Sequence, residues 1–137
     1  MKTFFWPVRV YYEDTDSGGV VYYANYLKFM ERARTEWLRS LGVEQDVLTR
    51  ERGIMFVVRA ARLDYYRPAR FNDLLQVSTR IAEARGASLV VEQSIANTME
   101  PDKPLCHGWI KVACVDSNSF KPKKIPHMIL TEIVGER

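Results

Sequence analysis

The sequence predicts an α+β domain in which one long helix packs on a curved antiparallel sheet of about five strands. Three observations point there. Residues 23–41 place apolar side chains at helical spacing over one broad face. The second half of the chain alternates apolar and polar residues in runs bounded by turn formers. The turns between the last three runs are sharp, which favours antiparallel neighbours.

Taken in order, residues 6–13 alternate as a strand whose last residues deliver an acidic turn, D-T-D-S-G-G. The helix follows, with Tyr23, Tyr26, Leu27, Met30, Ala33, Trp37, Leu38 and Leu41 on the buried side. Lys28, Glu31, Arg32, Glu36 and Arg39 take the other side, with Arg32 and Glu36 spaced as an i,i+4 ion pair. Gly42 supplies the stop. A shorter helix over 44–52 is closed by Gly53, and residues 54–67 form a long strand ending at Pro68. Strands over 73–84, 88–97 and 105–115 complete the set. In the first of these, Leu75, Val77, Thr79 and Ile81 share one face. Lys121, Lys123 and Lys124 lie in a solvated tail segment.

A chain of 137 residues with 47% apolar content makes one domain over 1–137. The excess of 20 basic over 17 acidic residues is too small and dispersed for a nucleic-acid partner. No apolar run approaches the roughly 18–20 residues of a membrane span, and the opening M-K-T-F-F-W-P lacks the long apolar region and small-residue cleavage site expected of a signal peptide. Cys106 and Cys114 fall in one strand, roughly 26 Å apart at about 3.3 Å per residue, which excludes an intrachain bridge. Two unpaired buried thiols point to the cytoplasm.

Residues 12–25 carry the chemistry. Asp14 and Asp16 precede the Gly18-Gly19 turn, and a helix without a Ser, Thr or Asp cap follows. Hydrolysis of an activated acyl group needs a base for water, or a carboxylate nucleophile that forms a transient anhydride. Asp16 is the expected carboxylate. Uncapped N–H groups near Tyr23, Ala24 and Asn25 would stabilise the oxyanion of a thioester carbonyl. The same residue types also build ordinary turns, caps and aromatic cores. The acidic turn further mimics the opening of a calcium loop, but its twelfth position is Asn25, where a bidentate Glu is required. No metal-ligand spacing and no G-x-S-x-G occurs, so neither metal nor cofactor is expected. His107 reads as a structural residue within a strand.

The stretch 12–37, Y-E-D-T-D-S-G-G-V-V-Y-Y-A-N-Y-L-K-F-M-E-R-A-R-T-E-W, resembles the signature of the hotdog-fold acyl-CoA thioesterases of the 4-hydroxybenzoyl-CoA thioesterase and YbgC type. F-W-P-V-R-V-Y-Y-E-D-T-D at 5–16, F-V-V-R at 56–59 and D-Y-Y-R-P-A-R-F-N-D-L-L-Q-V-S-T-R-I at 64–81 extend the likeness over almost the whole chain. The resemblance implies a hotdog fold, a five-stranded sheet wrapped around a central helix. It also implies metal-free acyl-CoA hydrolysis in a homodimer, often a dimer of dimers, and a link to the Tol–Pal cluster. Asp16 matches the catalytic carboxylate, and Tyr23 the residue whose backbone N–H meets the thioester carbonyl. Many YbgC-type sequences carry His at that position, so the backbone role transfers to Tyr23 and an imidazole role does not. Tyr12, Gly19, Val21, Tyr22, Asn25 and Tyr26 are the expected substrate-binding set. The competing expectation is a non-catalytic binder of acyl groups or acyl carrier protein acting in phospholipid metabolism. A hotdog dehydratase would need a facing His and carboxylate from a chain with two histidines.

Overall fold

The computed structural model describes residues 2–135. It contains β1 (Phe4–Arg9), a 3-10 turn (Tyr12–Asp14), α1 (Asn25–Ser40), α2 (Gln45–Arg52) and β2 (Ile54–Tyr65). β3 (Leu74–Arg85), β4 (Ser88–Asn97), β5 (Pro104–Asp116) and α3 (His127–Val134) follow. The five strands form one sheet in the order β1-β3-β4-β5-β2, every pair antiparallel. Register shifts at Val58/Ala60, Ile81/Glu83 and Ile95/Ala96 put an irregularity in three of the four ladders. Such bulges bend strands, as a sheet curving around a helix requires. This is the expected α+β arrangement.

The core lies between α1 and the inner sheet face, where Leu75, Val77, Thr79 and Ile81 of β3 are all buried. α1 buries Tyr26, Phe29, Met30, Ala33, Trp37 and Leu38. The expected face is corrected at three places: Tyr23, expected on it, precedes the helix and is exposed. Phe29 is fully buried and Leu27 is exposed, because Phe29 stands three residues after Tyr26 and four before Ala33, on their row. The expected Arg32–Glu36 pair is also replaced. Glu36 pairs with Arg39 at 2.5 Å, and Arg39 reaches Glu44 at 3.1 Å. Gly108 lets α1 approach β5, since a Cβ there would sit 3.1 Å from Met30 Sδ. Gln93 fixes helix to sheet, donating to the Met30 carbonyl and to Thr79 Oγ1 while accepting from Arg34.

Element boundaries differ from expectation where backbone partners change. β1 stops at Arg9 because the Val10 N–H turns to the Asp73 carbonyl. α1 starts at Asn25, two residues late, and ends in crossed bonds from Gly42 to Arg39 and from Val43 to Leu38. β2 ends at Tyr65, since the N–H groups of Tyr66 and Arg67 both turn to the Leu105 carbonyl. α3 was not expected; it seats Ile129 and Ile133 in the core. Lys121, Lys123 and Lys124 are exposed, yet the Lys123 N–H is held by the Cys114 carbonyl. Cys106 and Cys114 are both buried in β5 and unpaired. No helix among the described residues is long and apolar enough to cross a membrane.

Candidate active site

Between β1 and α1 the chain doubles back to build a loop around Asp16. Asp14 is its foundation. Its buried carboxylate accepts the Tyr11 N–H at 2.8 Å, closing the 3-10 turn. Its carbonyl accepts both the Tyr22 N–H, at 3.0 Å, and Asn25 Nδ2, at 2.9 Å. Thr15 then bridges to Val21, and the Asp16 N–H donates to the Val20 carbonyl at 2.9 Å. Gly19 closes the loop with φ +80°, a conformation that strains any other side chain. The loop sits on the segment after β2, through Val21 N–H to Ala69 O at 2.9 Å and a bridge from Val20 to Arg70.

Asp16 is exposed at the tip of this loop. Its Oδ1 accepts the Gly18 N–H at 2.8 Å. Its Oδ2 has no hydrogen-bond partner among the described residues. The start of α1 lies alongside. The Asn25 N–H donates to the Tyr22 carbonyl at 2.8 Å, so Asn25 is not among the free donors expected there. The N–H groups of Tyr23 and Ala24 donate to nothing among the described residues, and no side chain caps the helix. One loop therefore joins a carboxylate oxygen and two N–H donors, all without a protein partner. The Tyr22 phenol is pushed up, first by its hydrogen bond with Tyr23 and least by the negative charge of Asp16.

The remaining candidates divide. Tyr22 and Tyr23 are exposed and stack obliquely at 4.9 Å. Val21 is buried and holds the loop down. Tyr26 is also buried; its hydroxyl accepts the Ala69 N–H at 3.0 Å, and burial raises its pKa. Tyr12 opens the 3-10 turn instead of ending a strand, so its ring lies on Phe71, with centroids 3.8 Å apart. Tyr65 was not foreseen as part of the site. Its hydroxyl donates to the Tyr23 carbonyl at 3.0 Å, and its ring meets those of Tyr23 and Tyr26 edge-on. The motif 64–81 contains it, but nothing local to Tyr65 tells which carbonyl it reaches 42 residues away.

Other chemistry is weaker. His107 is held between Ser94 Oγ at 2.6 Å and Glu92 Oε2 at 2.9 Å on the outer sheet face. This row imitates a serine triad, but the Ser94 N–H is already taken by Ser78 Oγ and so is not free as an oxyanion donor. Cys106 is pushed up to about 12 by burial, then by Asp64, which makes its thiol unreactive at neutral pH. No group of three or more His, Cys, Asp or Glu among the described residues could hold a metal ion. A cavity of about 140 Å³ lies between α1 and β2, lined by Arg34, Trp37, Leu38, Phe56 and Val58.

The sequence profile of the thioesterase-like superfamily matches residues 10–133. The acyl-CoA thioester hydrolase YbgC of Escherichia coli (strain CFT073) is 49% identical over 129 residues, covering 94% of this chain and 94% of that protein. Among solved structures, a probable thioesterase from Bartonella henselae superposes with a TM-score of 0.85 at 35% identity, covering 91% of this chain and all of that one. The 1,4-dihydroxy-2-naphthoyl-CoA thioesterase of Synechocystis superposes with a TM-score of 0.88 at 25% identity, covering 96% of each chain.

Proposed function

Since this chain belongs to the thioesterase-like superfamily and is an acyl-CoA thioester hydrolase of the YbgC kind, we propose that Asp16 is its catalytic carboxylate. The Tyr23 N–H polarises the thioester carbonyl. One observation carries this reading: an exposed carboxylate with a free oxygen stands on the same short loop as the unpartnered N–H groups that open α1.

As a general base, Asp16 takes a proton from water as the water oxygen attacks the thioester carbon. The carbonyl oxygen gains negative charge, which the Tyr23 N–H stabilises. Collapse breaks the C–S bond, and the proton held by Asp16 passes to the departing sulfur, leaving a free acid and CoA. As a nucleophile, the carboxylate would itself bond to the acyl carbon, release the thiolate and form an anhydride that water then cleaves. Both routes use the same free oxygen and neither needs a metal. Tyr12, Gly19, Val21, Tyr22, Asn25 and Tyr26 form the binding set in this reading, with the buried Val21, Asn25 and Tyr26 acting through the backbone they hold.

The working unit in this proposal is a homodimer, or a dimer of dimers, built from one domain per chain. The cytoplasm is its setting, the Tol–Pal system its context, and acyl carrier protein an alternative thiol carrier. The test is hydrolysis of short, long and aromatic acyl-CoAs by purified protein after exhaustive treatment with EDTA. Release of CoA thiol at an unchanged rate is the expected result. Loss of turnover restored by a divalent ion would overturn the metal-free mechanism, and silence on every acyl-CoA would overturn the assignment.

A further inference from the structure

We infer that Tyr65 is a positioning residue for the hydrolysis: it holds the Tyr23–Ala24 peptide so that the Ala24 N–H stands beside the Tyr23 N–H as a second donor to the thioester oxygen. The inference rests on the function proposed above.

The start of α1 bypasses one carbonyl. The Asn25 N–H returns to the Tyr22 carbonyl, and the Leu27 N–H returns to that of Ala24, at 3.2 Å. The Tyr23 carbonyl between them accepts no backbone N–H among the described residues. Its one donor is the Tyr65 hydroxyl, at 3.0 Å, from the last residue of β2. A trans peptide is planar, with C=O and N–H pointing in opposite directions. Anchoring the Tyr23 oxygen therefore fixes the direction of the Ala24 hydrogen. It also polarises that N–H, since hydrogen bonds in series strengthen one another. Without the hydroxyl, the Leu27 N–H is free to shift to the Tyr23 carbonyl in ordinary i→i−4 fashion, which tightens the first turn and rotates the donor away. Burial raises the Tyr65 pKa, so the phenol stays a donor at neutral pH. The anchor is rigid at its base, because the ring is wedged against Tyr23 and Tyr26 at centroid distances of 6.2 and 5.5 Å.

Tyr65→Phe deletes the hydroxyl and keeps the ring. Removing an oxyanion donor outright costs about a hundredfold or more in kcat; loosening one should cost about tenfold, with KM within about twofold of wild type. Ala24→Pro is the second variant. Ala24 has φ −70°, which proline adopts, and the change deletes the N–H in question while restricting the backbone of Tyr23, so retained Tyr23 geometry is checked by acyl-CoA binding. In the Ala24→Pro background Tyr65→Phe should have no further effect, because the peptide it orients no longer carries a donor. A merely structural tyrosine would instead add its cost in both backgrounds and lower Tm. The thioester carbonyl stretch, read in the inactive Asp16→Asn complex, should move toward its solution value on Tyr65→Phe. Wild-type kcat in Tyr65→Phe, or additive losses in the double variant, would overturn the inference. If Asp16→Asn stayed active, the function proposed above would fail instead, which separates the two outcomes.

Discussion

At the scale of residues, the two aspartates of D-T-D divide the work. Asp14 is buried and occupied, with its carboxylate on the Tyr11 N–H and its carbonyl on Tyr22 and Asn25. Asp16 is exposed, with only Gly18 on one oxygen. Asp14→Ala removes the acceptor of the part-buried Tyr11 N–H and should lower stability by about 1 kcal/mol. Asp16→Ala should change it by less than about 0.5 kcal/mol, as surface substitutions usually do. Denaturant unfolding of the two variants checks this, and equal losses would contradict it. The exposed turn at Asp16 was legible in its residue types, which also suit an ordinary turn; the role proposed for Asp16 came from the likeness of residues 12–37 to a known signature. The place of Tyr12 was not legible. Period-2 alternation over residues 6–13 continues past the point where Asp14 captures Tyr11 and winds the chain into a 3-10 turn.

At the scale of elements, α1 was legible from its period, because burial of one face sets both its type and its extent. Its start was not: the expected helix begins at Tyr23, two residues before Asn25, because without a cap sequence cannot tell where helical bonding starts. α3 escaped for a different reason. An eight-residue helix has little stability of its own and is fixed by where Ile129 and Ile133 happen to land. β2 carries the next expectation. It is a 12-residue strand at the sheet edge, with Val58 exposed and a cavity open beside it. A long unpaired edge of this kind invites a second strand. Sedimentation should therefore give at least twice the 15.9 kDa of the chain at micromolar concentration. A fully active species of 15.9 kDa would contradict it.

At the scale of the whole molecule, the helix-on-sheet architecture followed from pattern alone, since a single apolar-faced helix and a half-buried sheet have one economical way to cover each other. The site did not follow as fully. It is assembled from three distant pieces, the loop at Asp16, the start of α1, and the end of β2 with the segment behind it. Only the first two are neighbours in sequence. What the assembled molecule does is tested most directly by steady-state acyl-CoA hydrolysis with Asp16→Asn. Asparagine keeps the size of aspartate and can still accept the Gly18 N–H through its amide oxygen, so the loop persists. It can neither take a proton from water nor form an anhydride. The donors at the start of α1 are untouched, so binding should hold and the loss should fall on kcat, by at least about a hundredfold. Hydrolysis by Asp16→Asn at near the wild-type rate would contradict the account.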